Sequence, residues 1–242
     1  DPFTIEITVN PTPIGVDDLK TICSGEVVNL NLKTTPIVFG TTYTYPAPTV
    51  TGGIIGGNPR IIDSTDDITD VLINPTGLVQ TAIYTVIPKS PDGCIGQPFT
   101  VEITVNPTPI GTDAFKTIYS GEAVNQNLRT NPITLGTTFT YPTPVMTGSL
   151  TGGTPRIIGS NNDITDVLIN PSSFTQTATY TVTPTSSQGC IGNPFNVEVK
   201  VLAVFVGVTN NKTICSGDAV NQDLKTSPII PGTTFTYPAP LV

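Results

Sequence analysis

Apolar and polar side chains alternate along the stretch FTVEITV, residues 99–105. The same alternation runs through residues 3–9 and 195–201, and another alternating stretch lies at 177–182. A period of two is typical of an antiparallel β-strand with one face in a core and the other in solvent. Clusters of Gly, Pro, Asn and Asp separate these stretches and indicate turns. The sequence therefore predicts an all-β protein.

The alternating stretches belong to a repeat with a fixed period. The motif NPTPIG at residues 10–15 returns at 106–111, which is 96 positions later. A long fixed period is the signature of an array of similar domains. We divide the chain into the last strand of a preceding repeat (1–10), two complete repeats (11–106 and 107–202) and the N-terminal part of a further repeat (203–242).

Within one repeat the pattern predicts seven strands. A unit of about 100 residues has the size of an immunoglobulin-type sandwich and can bury its own core. The predicted strands A to G lie at 14–22, 26–33, 40–50, 58–63, 67–74, 79–88 and 98–106. Turn signals at this spacing favour immunoglobulin-like Greek-key β-sandwiches. The two prolines of each NPTP motif stiffen the joint, so we expect a linear array.

Composition excludes several classes of function. The formal net charge is -8, whereas phosphate binding needs a basic face, so we expect no nucleic-acid partner. The chain has no apolar run long enough to span a bilayer, so we expect no direct membrane insertion. It also has no histidine, which excludes Ser-His-Asp and Cys-His sites and removes the commonest metal ligand. We therefore predict that the chain is not an enzyme, has no catalytic residues and needs no cofactor.

An acidic cluster is the candidate for a metal site. Oxygen ligands at this density bind calcium in some extracellular modules. The alternative is a structural Asp-rich turn before strand E. Asp67 and Asp70 are three residues apart in a predicted strand, so their side chains face opposite ways and cannot easily bind the same ion. The calcium candidates are Asp63, Asp66, Asp67 and Asp70, with Asp163 and Asp166 in the next repeat.

Two further patterns recur with the repeat. Lys20 and Asn29 return 96 residues later, which allows a Lys–Asn isopeptide bond; solvated surface residues are the alternative. Tyr43 and Tyr45 share one parity within strand C. Aromatic residues in line can stack on sugar rings, but equal parity favours a place in the core. We predict core positions for these tyrosines.

The motifs TICSGE (21–26), GTTFTYP (136–142), ITDVLINP (164–171) and QTATYTVTPTSSQGCIGNPF (176–195) carry a family likeness. Together they resemble the PKD-like, immunoglobulin-like repeats of very large bacterial surface proteins. Those proteins occur mostly in Bacteroidetes-type bacteria and include gliding-motility adhesins exported by type IX secretion. The resemblance implies a β-sandwich, secretion and a place on the outer cell surface, and it implies no particular ligand.

Four cysteines recur with the repeat. Cys94 and Cys190 occupy equivalent positions, as do Cys23 and Cys215, while Tyr119 replaces the cysteine in the second repeat. In an exported protein such a pattern indicates disulfides. A Cys23–Cys94 bond within one repeat is the first alternative. A Cys23–Cys190 bond between repeats is the second, and it leaves Cys94 and Cys215 unpaired within this chain.

Geometry favours the bond between repeats. Cys23 lies in the predicted A–B turn and Cys94 in the predicted F–G turn, which are at opposite ends of a sandwich. Strands of this length separate the two ends by about 30 Å. A disulfide needs its Cα atoms within about 7 Å. Both pairings stay open at this point.

Two functions fit the sequence. The first is a structural stalk or filament segment of a large secreted adhesin, which mediates attachment or gliding by presenting a distal tip. Its partners are then neighbouring repeats of the same polypeptide, and a surface or glycan bound by the tip. The second is a tandem glycan- or protein-binding module that acts by avidity. The loops differ most between the copies, which favours the first function.

Overall fold

The computed structural model describes residues 3–65, 67–160, 163–229 and 232–239. These residues form strands, turns and irregular segments, and none of them forms a helix that could cross a membrane. The chain divides into two compact units. The first unit comprises Asp1–Ile110, Thr130–Thr137 and Pro184–Asn193. The second comprises Gly111–Arg129, Thr138–Thr183 and Pro194–Val242.

The main sheet of the first unit contains six strands. In chain order they are β1 (Asp18–Cys23), β2 (Thr42–Tyr45), β3 (Thr49–Val50), β4 (Arg60–Ser64), β5 (Gln80–Lys89) and β6 (Phe99–Asn106). Their order in the sheet is β1-β6-β5-β2-β4, with β3 also paired to β5. The terminal strands β1 and β6 run parallel, and the other pairs are antiparallel.

A second layer covers the inner face of this sheet. Its two segments meet through antiparallel bridges, Val27 with Val71 and Leu30 with Ile68. Buried side chains from this layer pack against the inward residues of β5 and β6. The core residues with no exposed surface include Val28, Ile68, Leu72, Ala82, Tyr84, Val86, Val101, Ile103 and Val105.

The second unit repeats the arrangement. Its strands are β7 (Ala114–Tyr119), β8 (Thr138–Tyr141), β9 (Val145–Met146), β10 (Arg156–Ser160), β11 (Gln176–Thr185) and β12 (Phe195–Leu202). The sheet order is β10-β8-β11-β12-β7, and β9 pairs with β11. Again the terminal strands, β7 and β12, are parallel. The predicted fold class, tandem all-β sandwiches, is confirmed.

Several strand predictions were wrong in detail. Predicted strands B and E form only the isolated bridges of the second layer. The cause in strand B is Asn29, which adopts a φ of 40° and breaks the extended backbone. Predicted strand C is divided into β2 and β3. The parallel pairing of the terminal strands also differs from the antiparallel arrangement that the alternation indicated.

The two ends of the chain differ from the complete repeats. Residues 3–10 were predicted as a last strand, but within the described residues they form no strand and their apolar side chains are exposed. In the segment from 203 onward, the described residues form one short pair, β13 (Val206–Gly207) with β14 (Thr226–Ser227). Both segments match parts of the repeat in sequence.

Candidate functional site

A disulfide joins Cys23 to Cys190, with their Cα atoms 5.7 Å apart. Cys23 ends β1 and lies opposite Asn106, the last residue of β6, in the parallel register. Cys190 is fully buried, and both cysteines belong to the first compact unit. Of the two pairings that the sequence left open, the structure contains the one between different repeats. The bond spans 167 residues of chain.

A tight turn presents Cys190 to its partner. Ser186 receives a backbone hydrogen bond on its carbonyl oxygen from Gly189 at 3.0 Å, and its own N–H donates to the carbonyl oxygen of Cys190 at 2.9 Å. The Ser186 hydroxyl oxygen accepts a further bond from the Cys190 N–H at 3.1 Å. The same turn exists around Ser90 and Cys94. The sequence signal for it is a serine four residues before each cysteine.

The Cys23 side of the joint is also held by polar contacts. The Cys23 N–H donates to the carboxylate of Glu26 at 2.8 Å, which closes the turn after β1. The Thr108 hydroxyl, from the NPTP motif, donates to the carbonyl oxygen of Ser24 at 3.0 Å. Turn, joint and disulfide therefore form one compact cluster, which we call the joint cluster: Cys23, Ser24, Thr108 and Cys190.

The alternative bond to Cys94 is excluded by strand direction. Cys23 lies beside the C-terminal end of β6, whereas Cys94 precedes its N-terminal end. The eight residues of β6 span about 26 Å at ~3.3 Å each. Cys94 and Cys215 are free. The Cys94 Sγ lies 3.9 Å from the carbonyl oxygen of Asn10, which occupies the position equivalent to Asn106.

The terminal strands form a mechanical feature of each sandwich. In β1 and β6 six consecutive residue pairs run from Asp18 opposite Val101 to Cys23 opposite Asn106. In β7 and β12 six pairs run from Ala114 opposite Val197 to Tyr119 opposite Leu202. Because the strands are parallel, the start of one and the end of the other lie at opposite ends of the sheet. Tension between these two points therefore pulls the paired strands past each other, so that all the hydrogen bonds between them bear the force together.

One acidic candidate in each repeat is a partner of a buried tyrosine. The Tyr84 hydroxyl donates to the Asp70 carboxylate at 2.7 Å, and the Tyr180 hydroxyl donates to Asp166 at 2.8 Å. Burial raises the pKa of both tyrosines, and the hydrogen bond to the neighbouring aspartate raises it further. Asp70 also accepts a bond from the Asn58 N–H at 3.2 Å. These carboxylates therefore have structural partners already.

The remaining acidic candidates lie apart from this pair. Asp63 forms an ion pair with Lys89 at 2.7 Å. The main-chain oxygens of Asp67 and Asp163 accept bonds from arginine side chains at 2.6 Å. Asp66 lies outside the described residues. In the part of the chain that the structure describes, no three acidic or cysteine side chains form a group able to hold a metal ion. Calcium binding at this cluster stays a prediction from the sequence.

The recurring Lys–Asn pair has a non-covalent role. The Lys20 Nζ donates to the main-chain oxygen of Asn29 at 2.8 Å, and Lys116 makes the same contact with Asn125 at 3.0 Å. Both asparagines have a positive φ, near 40°, which asparagine tolerates better than most residues. The lysine therefore bridges β1 or β7 to the kink in the second layer through a main-chain oxygen.

The recurring aromatic residues of β2 and β8 lie in the core, as predicted. Tyr43 and Tyr45 are buried, as are Phe139 and Tyr141. The Tyr43 hydroxyl donates to the main-chain oxygen of Leu32 at 3.3 Å. The Arg60 guanidinium lies over the Tyr45 ring at 4.9 Å, a cation–π contact that the sequence analysis did not predict. The same contact is made by Arg156 over Tyr141 in the next repeat. The recurrence of both residues 96 positions later was the sequence signal that could have indicated it.

Solved structures of tandem β-domains resemble the chain weakly. Extracellular domains 3–5 of Drosophila OTK match at 13% identity over 82% of this chain and 62% of theirs, with a TM-score of 0.32. Human protocadherin-24 EC1-2 matches at 11% identity over 81% of this chain and 100% of its own, with a TM-score of 0.33. Fibronectin(III)-like modules of CbhA from Clostridium thermocellum match at 11% identity, covering 79% and 94%, with a TM-score of 0.26.

The chain thus spans less than two thirds of the OTK structure. No curated protein matches it. The PKD-like domain matches twice in tandem, over residues 20–109 and 116–203. These two matches cover the greater part of the chain and coincide with the two complete sandwiches. The chain therefore belongs to the PKD-like domain family.

Proposed function

We propose that this chain is a load-bearing structural segment of a large secreted bacterial adhesin. In this function it is a stalk on the outer cell surface, and it carries a distal tip that mediates attachment or gliding. The observation that supports the proposal best is the Cys23–Cys190 bond, because it gives tension a covalent path past both sandwiches. The proposed partners are neighbouring repeats of the same polypeptide and the surface or glycan bound by the tip.

Under tension the disulfide limits how far the chain extends. Force that enters at the N-terminal end reaches Cys23 through β1, crosses to Cys190 and leaves through β12. The residues between the two cysteines carry no load while the bond is intact. In its absence the load passes to the parallel pairs β1–β6 and β7–β12, which resist in shear. The segment therefore keeps its length when bonded and yields in steps when reduced.

Single-molecule pulling from the two ends tests this function. The oxidised chain should release almost none of the length between the cysteines, and the reduced chain should release it fully. That length is 167 residues, or about 600 Å at ~3.6 Å per residue. The Cys23→Ser/Cys190→Ser variant should match the reduced chain under both conditions. Equal extension of the oxidised and reduced chains would contradict the proposal.

One observation favours the second candidate, a tandem binding module. Ile61 and Ile62 of edge strand β4 are highly exposed, and Ile157 and Ile158 repeat them on β10. They lie where two extra residues bulge from the pairing with β2 and β8. A ligand bound at both bulges would gain avidity. Binding of the whole chain to a glycan or protein array, lost in Ile61→Ser/Ile157→Ser, would support this function over the stalk.

A further inference from the structure

The turn at residues 74–78 is tied to two other segments of the first sandwich. The Asn74 side-chain amide donates to the main-chain oxygens of Leu78 at 2.7 Å and Val105 at 2.9 Å. The Asn74 N–H donates to the hydroxyl of Ser24 at 2.9 Å. Because Asn74 is buried and all three bonds are made at once, the turn has a fixed place beside Cys23.

Gly77 in this turn lies against a loop of the next repeat, residues 130–137. Like the turn that carries Cys190, this loop belongs to the first compact unit. A Cβ on Gly77 would overlap the carbonyl oxygen of Ile133 and lie 2.7 Å from its carbonyl carbon. Gly77 is not one of the glycines with a positive φ, so the close approach of another main chain is what requires glycine here. Any side chain at this position must push the loop away.

The loop is buried where it meets the first repeat. Thr134 is 5% exposed, whereas Val38, at the equivalent position of the first repeat, is only half-buried. The Thr134 N–H donates to the Thr130 hydroxyl at 3.0 Å, and the Val38 N–H makes the same bond to Thr34 at 3.1 Å. Both loops therefore share this hydrogen bond, and the loop of the second repeat is the one packed beside Gly77.

The equivalent turn of the second repeat is tied down in the same way but carries a serine. The Asn170 side-chain amide donates to the main-chain oxygens of Phe174 at 2.8 Å and Val201 at 2.9 Å. The Asn170 N–H donates to the hydroxyl of Ser120 at 2.9 Å. The residue equivalent to the glycine is Ser173. This turn therefore presents a side chain where the turn of the first repeat presents none.

Three residues that support the contact change together from the first repeat to the second. One forms the disulfide, one donates to the carbonyl oxygen of Ser24, and one makes room for the loop. They are Cys23, Thr108 and Gly77, and their equivalents are Tyr119, Val204 and Ser173. The tyrosine has no thiol, the valine has no hydroxyl and the serine has a Cβ, so each replacement removes one of the three contributions.

We propose that Gly77 determines which kind of joint a repeat makes with the repeat that follows it. With glycine at this position, the surface formed by Cys23, Ser24, Gly77 and Thr108 receives loops 130–137 and 184–193 of the next repeat. With serine, as at Ser173, the surface does not receive the corresponding loop. The chain thus contains two types of joint, one docked and bonded and one undocked. This inference goes beyond the proposed load-bearing function and does not depend on it.

Amide hydrogen exchange in the whole 242-residue protein tests the proposal. In Gly77→Ser the Thr134 N–H should exchange about tenfold faster than in wild type, because the added side chain pushes its loop away from the first repeat. The Val38 N–H, which makes the same hydrogen bond in the first repeat, is the internal reference and should not change. Leu78→Phe introduces the second repeat's residue at an exposed position of the same turn. This matched control should leave both exchange rates unchanged.

Reduction of the Cys23–Cys190 bond by dithiothreitol gives a second measurement. Cys190 is 1% exposed, so the docked joint shields its sulfur, and Gly77→Ser should make reduction about fivefold faster. Gly77→Ala adds only the Cβ and should change the exchange rate of Thr134 and the reduction rate in the same direction. Three results would each overturn the proposal: wild-type exchange at Thr134 in Gly77→Ser, an equal effect of Leu78→Phe, or loss of secondary structure in Gly77→Ala, which would place the role of the glycine inside its own sandwich.

Discussion

Residues 3–9 and 99–105 have nearly the same sequence, FTIEITV and FTVEITV, and different structures. The second stretch lies in β6 between β1 and β5, with its apolar face in the core. The first forms no strand within the described residues and exposes the same face. An alternating sequence therefore allows a strand to form, but the strand forms only where neighbouring strands supply its hydrogen bonds and cover its apolar face. The same contrast separates Cys23, which is bonded, from Cys215, which is free.

The largest expected effect concerns the bonded cysteines. Cys23→Ser/Cys190→Ser should lower the free energy of unfolding by about 5 kcal/mol, because the 167-residue loop no longer restricts the unfolded chain. Urea unfolding followed by circular dichroism measures this, since the chain has no tryptophan. Cys94→Ser/Cys215→Ser, the same change at the equivalent free positions, should leave the free energy of unfolding unaltered. An equal loss of unfolding free energy in both double variants would contradict the assignment of the disulfide to Cys23 and Cys190.

Identical substitutions in the two stretches sharpen the comparison. Ile103→Ala removes a fully buried side chain from β6 and should destabilise the first unit by about 3 kcal/mol. Ile7→Ala, at the equivalent exposed position, should change the free energy of unfolding by less than about 0.5 kcal/mol. Both variants are measured by urea unfolding followed by circular dichroism. A loss of similar size for Ile7→Ala would show that residues 3–10 are part of a core.

A glycine at three equivalent positions gives a smaller contrast. A Cβ on Gly15 would overlap the ring of Phe99, whereas a Cβ on Gly207 would meet nothing within 4 Å. Gly15→Ala should therefore destabilise the first unit by about 2 kcal/mol through overpacking. Gly207→Ala should be close to neutral. Gly111, which faces the ring of Phe195, should behave like Gly15 when the melting of the second unit is followed.

The smallest effect at neutral pH concerns a buried hydroxyl. Tyr84→Phe removes the hydrogen bond to Asp70 and should lower the free energy of unfolding by about 1 kcal/mol at pH 7. The folded-state pKa of Tyr84 lies above its ordinary value of 10.0, so its contribution is present below pH 10 and lost as the pH rises further. The variant should therefore lose less stability than wild type between pH 9 and about 11. Tyr237→Phe, at a highly exposed tyrosine, is the control.

Much of the fold followed from local pattern. The alternation at 99–105 predicted β6, and the spacing of motifs predicted two sandwiches in tandem. The opposite-end argument that separated Cys23 from Cys94 holds in the structure, since β6 lies between the two positions. These predictions succeeded because a strand's period and a repeat's period are properties of the chain alone.

Other features depended on contacts between distant residues. Strand B looked regular in sequence, but Asn29 adopts a left-handed conformation that the Lys20 amine supports from β1. The partnership of Asp70 with Tyr84 joins residues 14 positions apart across the two layers. No local pattern encodes such pairs, and only their recurrence at equivalent positions could have indicated them.

The sequence by itself determined the class of fold, the two repeats and the positions of the cysteines, since each is carried by residue type and spacing. The tertiary structure decided which cysteines meet, that the terminal strands run parallel, and which of two nearly identical stretches becomes a strand. The physical reason is that a strand's hydrogen bonds and its apolar face are satisfied by other segments. A stretch such as 3–9 has the composition of a strand, and its neighbours determine whether it folds as one.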